Sequence, residues 1–174
     1  HEASLKLAKA NFYKKDFDWT LQQVKVLKQS PSLLIANDAI EMFLLIQDNS
    51  AEDSLRVALQ AYAKADLQMY QNKNEEALQS FLTILQKHKG ESIEEGTLFK
   101  VGKIYEEKKD YLKALSYYQN ILDNYKDGIY KDEALFFSAE IYRQYLLDNE
   151  KAKPLYEKMV LEHPDSLYYT ESRK

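Results

Sequence analysis

The sequence predicts an all-α chain, a right-handed α-solenoid of antiparallel helix pairs, and three observations predict it. Only four glycines and three prolines interrupt 174 residues, while hydrophobic residues make up 45% and charged residues 30%. That is the balance of packed helices, not of a loop-rich or β-rich fold. Second, an alanine followed by aromatic and aliphatic residues recurs in NKNEEALQSFLTIL (72–85), KKDYLKALSYYQNIL (108–122) and DNEKAKPLYEKMV (148–160), with Ala77, Ala114 and Ala152 spaced 37 and 38 residues apart. A fixed period of this length marks helical hairpins that must stack on one another. Third, the apolar residues inside a copy fall at helical spacing. Leu98, Val101, Gly102 and Tyr105 make one stripe; Ala114, Leu115, Tyr118, Ile121 and Leu122 make another. Neither stripe is buried by its own helix alone.

Taken in order, the first pair is a helix over 2–13 and one over 17–29, with Asp16 at the place of an N-cap acceptor. KKDFDWTLQQVKVL (14–27) is a weaker copy of the motif, Thr20 standing where the others have alanine, 57 residues before Ala77. That gap exceeds one repeat and falls short of two, so a helix over 33–47 is inserted; Ser30-Pro31 announces it, because proline is tolerated in a first turn. Helices over 51–71 and 75–88 follow, the first opened by Ser50 with Asp53 and the second by Asn74. Ser92 with Glu95 opens a helix over 93–107, and Asp110 caps the next over 111–124. The last pair covers 131–147 and 151–162, a start near Lys151 placing Pro154 in the first turn, where its missing N–H does little harm. A short helix begins at 167. The repeats therefore lie near 1–31, 51–91, 95–128 and 131–164, in a single solenoid over 1–174.

One joint in this scheme imitates a metal site. DNYKDGIYKDEA (123–134) has the acidic residues and the glycine of a calcium loop, with Asp123 first, Asp127 fifth and Gly128 sixth. Tyr125 then falls third and Ala134 twelfth, where a bidentate glutamate is required, and Lys126 and Lys131 add positive charge. The better reading is a helix junction: Gly128 suits a left-handed C-terminal cap, and Asp132 with Glu133 suits the positive end of the next helix.

Other chemistry finds little support. A net charge of −4 offers no excess of basic groups for a phosphate backbone, so nucleic acid is not an expected partner. With no cysteine there is no disulfide, thiolate nucleophile or thiolate metal site. The longest apolar runs, such as MFLLI at 42–46, fall far short of the roughly 18 residues of a membrane span, so no membrane insertion is expected. His1, His88 and His163 have no second ligand at metal spacing, and Glu94-Glu95 and Glu106-Glu107 are neighbours that point different ways on a helix. No phosphate loop, nucleophile turn or Ser-His-Asp set is present. No catalytic, cofactor or metal site is expected. The chain begins at His1, so targeting is not legible.

The alternation resembles the tetratricopeptide repeat, a helix-turn-helix in which small and aromatic positions govern packing. Residues 95–128 carry the likeness best, with Leu98, Val101, Gly102, Tyr105, Ala114, Tyr118 and Ile121 at the motif positions and Lys126 for the closing proline. In 131–164 the matches are Leu135, Ala139, Tyr142, Ala152, Tyr156, Met159 and Pro164, with one extra residue in the turn. The copy at 58–91 has Ala65, Ala77, Phe81 and Ile84, but Gln68 for the tyrosine. HPDSLYYTESRK, after the last repeat, is similar to repeat proteins of the Gram-negative cell envelope, of the outer-membrane assembly lipoprotein or Tol-Pal type, which favours the periplasm or cell envelope over the cytoplasm.

The resemblance implies roles for the aromatic residues. Phe81, Tyr105, Tyr118, Tyr142 and Tyr156 occupy packing positions. The first helix of each pair is expected to line a concave groove through Tyr62, Asp66, Met69 and Tyr70, then Phe99, Lys103 and Glu106, then Phe136, Glu140 and Arg143. Phe99 with Lys103 and Phe136 with Glu140 are not the Lys and Asn of carboxylate-clamping repeats, which disfavours an adaptor for chaperone tails. The expected function is a noncatalytic scaffold that holds a protein or peptide segment in an aromatic groove. The alternative is a structural spacer or assembly module within a larger bacterial envelope protein or complex, using helix 33–47.

Overall fold

The computed structural model describes residues 1–50 and 56–174. Among them the fold is all-α, in the order α1 (Glu2–Tyr13), α2 (Phe17–Leu27), α3 (Leu33–Asp48), α4 (Val57–Tyr70), α5 (Asn74–Lys87), α6 (Ile93–Glu107), α7 (Tyr111–Asn124), α8 (Lys131–Gln144), α9 (Asn149–Glu162) and α10 (Tyr169–Ser172). The expected start of a helix at 51 and the capping role of Asp53 lie outside the described residues. Two compact units make up the chain, His1–Thr97 and Leu98–Lys174, divided within α6.

Neighbouring helices pair as a tetratricopeptide-like helical repeat has them. In the first unit α1 packs on α2 and α4 on α5, and the inserted α3 lies against both α2 and α1. Leu5, Ala8, Val24, Leu27 and Ala39 form the core of that three-helix group, with Ile35, Met42 and Phe43 packed around it. The Lys28 ammonium sits 3.7 Å from the centre of the Phe43 ring, covering its outer face. Phe12 meets Phe17 across the first turn at 5.5 Å between ring centres. Thus α3 buries Ala39 and Ile46, yet Leu33, Leu34 and Ile40 remain exposed.

In the second unit α7 packs on α8 and α8 on α9. The small residues show why the helices approach closely. Ala65, Ala77, Ala114 and Ala139 are wholly buried and Ala152 nearly so. At Gly102 an added Cβ would lie 2.5 Å from Cε1 of Tyr118. The tyrosine ring lies directly on the α6 backbone, so no other residue fits there without movement.

The turns inside three hairpins are alike. Lys15, Asn72 and Lys109 all take positive φ, near 60°. In each the N–H of that residue donates to the carbonyl three back (Phe12, Met69, Glu106), and the next N–H donates to the carbonyl five back (Asn11, Gln68, Tyr105). These are Schellman closures with lysine or asparagine in the place glycine usually takes. In the fourth hairpin the positive-φ residue is Leu147, and the N–H of Asp148 reaches six back to Tyr142 at 2.8 Å. This is the extra residue, and it ends α8 at Gln144 instead of 147.

Several expected caps are corrected. Gly128 does not take a left-handed conformation; Gly90 is the described glycine with positive φ. The N-cap of α3 is Ser32, whose hydroxyl accepts from the Ile35 N–H at 3.5 Å, so Pro31 precedes the helix. Asn74 is already helical, behind Lys73. At the start of α6, Glu94 reaches back and accepts from the Gly90 N–H at 2.9 Å. Asp110 caps α7 as expected, accepting from the Lys113 N–H at 3.4 Å. Asp148 caps α9 in the same way, and by starting that helix at Asn149 it puts Pro154 in the interior, past the first turn.

Two substitutions test this packing. Gly102→Ala is expected to lower stability by about 1–3 kcal/mol, because the ring of Tyr118 must move. Pro154→Ala restores a backbone donor at an exposed site and is expected to raise stability by about 1–3 kcal/mol. Urea unfolding midpoints followed by circular dichroism check both signs.

Candidate interaction surface

In the first unit the expected groove residues separate into buried and open ones. Tyr62 is only 2% exposed and meets Phe81 edge to face at 5.5 Å. It presents no face to a partner, a correction to the groove reading: truncating such a buried ring costs about 3–5 kcal/mol of stability. Asp66 accepts a hydrogen bond from the Tyr13 hydroxyl at 3.2 Å. Met69 is half-buried, and Tyr70 is 74% exposed beside Tyr13, with ring centres 5.9 Å apart.

The second unit repeats the division. Phe99 is buried, 5.0 Å from Tyr130 and 6.0 Å from Tyr118. It too belongs to the core and not to an open groove. Phe136 is half-buried, and Tyr168 stacks on it at 4.6 Å with the rings 20° apart. Phe137, Tyr130 and Tyr168 complete this aromatic cluster, and the groove positions did not include them. The signal in the sequence for Tyr130 and Tyr168 was an aromatic after each of the last two inter-hairpin turns; Phe137, inside α8, had only its place beside Phe136.

Polar groups cover the cluster. Glu106 accepts from the Tyr118 hydroxyl at 2.6 Å and lies 3.6 Å from the Lys103 ammonium. Lys103 stands 3.6 Å from the centre of the Phe137 ring, so its charge is held by a carboxylate and an aromatic face together. On α8 the pattern returns with the signs exchanged. Glu140 takes the place of Lys103 and Arg143 that of Glu106, 3.1 Å apart. Tyr156 donates to Glu140, and Arg143 Nε donates to the Tyr156 oxygen at 3.1 Å. Each charged pair is thus anchored by a tyrosine from the following helix.

The tyrosines are perturbed accordingly. Burial first, then the Glu106 carboxylate, drives the Tyr118 hydroxyl far above its ordinary ionisation range. Burial and the bond to Glu140 push Tyr156 up to about 12. Of the other expected packing tyrosines, Tyr105 is half-buried and stacks on Tyr117 at 5.6 Å, and Tyr142 is half-buried with the Lys151 ammonium 5.7 Å from its ring centre.

The stretch that imitated a calcium loop is a structural joint. After Tyr125, the Gly128 N–H donates to Tyr125 and the Lys131 N–H to Gly128; the joint after His88 has Glu91 donating to His88 and Glu94 to Glu91. Asp132 accepts from the Ser166 hydroxyl at 2.7 Å. Among the described residues no group of three or more His, Cys, Asp or Glu is placed to hold a metal, and no helix is long and apolar enough to cross a membrane.

A family model described as a tetratricopeptide repeat matches residues 97–128, which span α7 and most of α6. No curated protein and no solved structure matches the chain. The chain therefore carries a tetratricopeptide repeat, a kind of unit that generally mediates protein–protein interaction and typically serves as a noncatalytic scaffold.

The Tyr118–Glu106 bond makes a pH prediction. A tyrosine whose folded ionisation lies above the ordinary value near 10 holds its proton more tightly when folded. Its stabilisation is therefore complete below about pH 10 and is lost as the pH rises beyond that. The phenolate absorbance of Tyr118 is expected to appear only together with loss of helical ellipticity, and Tyr118→Phe to flatten the alkaline limb while costing about 1–3 kcal/mol at neutral pH through the hydrogen bond lost to the Glu106 carboxylate.

Proposed function

We propose that the chain is a noncatalytic protein-interaction scaffold that holds a partner segment by polar register. In the second unit the segment lies on α6 and α8, against Lys103, Glu106, Phe136, Glu140 and Arg143. The first unit contributes a separate contact through Asp66, Met69 and Tyr70. The observation that carries this reading is the pair of tyrosine-anchored charge pairs, Lys103 with Glu106 and Glu140 with Arg143, at equivalent places in consecutive hairpins. Their side chains are held by neighbours before any partner arrives, which lowers the ordering cost of binding. With Tyr62 and Phe99 buried in their own units, aromatic area supports this face from beneath and does not capture the partner.

A second reading has its own observation. The apolar residues Leu33, Leu34 and Ile40 on α3 are 59%, 57% and 42% exposed, which supports an assembly module or spacer within a larger envelope complex. The envelope location itself rests on the resemblance of the segment from His163 onward.

Photo-crosslinking separates the two readings. A benzophenone side chain at Arg143 or Tyr70 is expected to give a discrete adduct in cells, and one at Gln119 or at Leu34 none. An adduct from Leu34 with nothing from Arg143 overturns the groove reading in favour of the assembly module. With the adduct's partner in hand, Arg143→Glu is expected to weaken binding by roughly three- to tenfold, the size of a half-exposed charge contact.

A further inference from the structure

Two aromatic rings and a carboxylate meet where α1 crosses the end of α4, inside the first unit. Asp66 and Tyr70 stand one helical turn apart on the same face of α4, with Met69 beside them. Tyr13 is the last residue of α1, and α1 packs on α4. Its hydroxyl donates to Asp66 Oδ2 at 3.2 Å, and its ring centre lies 5.9 Å from that of Tyr70, with the planes 35° apart. One tyrosine thus orients both the carboxylate and the second ring. The helices that pack on α4, α1 and α5, are both in place, and Tyr70 is still 74% exposed. Unlike Tyr62 and Phe99, this ring presents its surface outward.

A carboxylate beside two ring faces attracts one kind of group. The faces are electron-rich and favour a cation within about 6 Å of the ring centre. The carboxylate favours the same charge, and an anion is repelled by both. A hard metal ion needs six or more oxygens about it, and one carboxylate with one phenol falls far short. An alkylammonium fits instead, because its carbon stem lies against a ring while its charge reaches the carboxylate. Lys14, Lys15 and Lys73 are exposed on the turns that follow Tyr13 and Tyr70. They weaken the pull on a small diffusing cation, so the occupant must be held by its stem as well as by its charge. Tyr13 already takes Oδ2, which disturbs the two-oxygen fork that suits arginine and leaves the single point charge of lysine the better match.

We propose that Tyr13, Asp66 and Tyr70 form a cation subsite that takes a lysine side chain of the partner segment, with its ammonium at Asp66 and its methylene stem across the Tyr70 ring. The subsite rests on the scaffold reading above and names the chemistry of the first unit's contact.

The chain's three methionines supply the reporter, since Met69 lies at the subsite and Met42 and Met159 lie in the cores of other helices. The isotope-labelled methionine methyl groups are followed by NMR while Nα-acetyl-lysine methylamide is added to high millimolar concentration. The Met69 signal is expected to shift and saturate while the other two stay still. The norleucine amide, which has the same stem without the charge, is expected to move it roughly three- to tenfold less. Asp66→Asn and Tyr70→Ala are each expected to remove the response, with unchanged Met42 and Met159 signals reporting that the fold is kept. Equal shifts from the norleucine amide, or an undiminished response in Asp66→Asn, overturn the proposal. A stronger response to phosphocholine or to the arginine amide overturns the assignment to lysine. If a partner is crosslinked at Tyr70 while Met69 ignores the lysine amide, the cation subsite falls and the scaffold reading stands. Absence of any crosslinked adduct is, by contrast, a failure of the scaffold reading, and the Met69 response is read separately from it.

Discussion

The contact of the Tyr118 ring with the backbone at Gly102 is the constraint from which the second unit follows. Because position 102 has no side chain, the ring lies flat on α6 and its hydroxyl arrives at Glu106, one helical turn further on. Glu106 in turn holds the Lys103 ammonium, and Lys103 covers Phe137. A chain of four contacts thus leads from one missing methyl group to the charge pattern of the surface. At Ala139 the small residue is alanine, and the corresponding Tyr156 is half-exposed; the same chain of contacts exists there with the carboxylate and the cation exchanged. Packing and the outward charge pattern are therefore parts of one arrangement: the tyrosine that fills the space between two helices also orients the charged groups beside it.

The turns give this arrangement its period. A left-handed residue costs about 1–2 kcal/mol when it is not glycine, yet Lys15, Asn72 and Lys109 all accept it at the same place. The compensation is the pair of Schellman hydrogen bonds and the immediate start of the next helix, whose buried Thr20, Ala77 or Ala114 then falls five residues later. Leu147 shows what holds the spacing. One more residue is accommodated by a longer backbone bond from Asp148, and Ala152 still arrives in the core.

Helix positions were legible in the sequence because they rest on period and caps, both local. The buried alanines and Gly102 were legible for the same reason. What the groove residues would face was not. Tyr62 and Phe99 stand at positions that point toward the open side in the repeat pattern, but whether a ring turns inward depends on the space its neighbours leave. For Phe99 that space is closed by Tyr130, which the sequence presents as part of a turn, and by Phe137, one residue beyond the expected Phe136. Gly128 failed as a left-handed cap because this joint needs no positive φ; its glycine lies in a turn that Ser166 also adopts. Pro154 was misplaced because Asp148, not a residue nearer Lys151, supplied the cap.

If the face proposed above holds a partner segment, the exchange of signs between α6 and α8 bears on selectivity more than on affinity. Charge contacts at a protein surface contribute little to binding strength, but like charges set opposite each other are costly. A segment whose charges match Lys103 and Glu106 meets the reverse order at Glu140 and Arg143, so sliding it along by one hairpin turns each attraction into a repulsion. Two identical pairs would tolerate that slip; two reversed pairs penalise it. A surface with few open aromatic faces can in this way still fix where a partner sits, because the wrong registers are raised in energy while the right one needs only modest stabilisation.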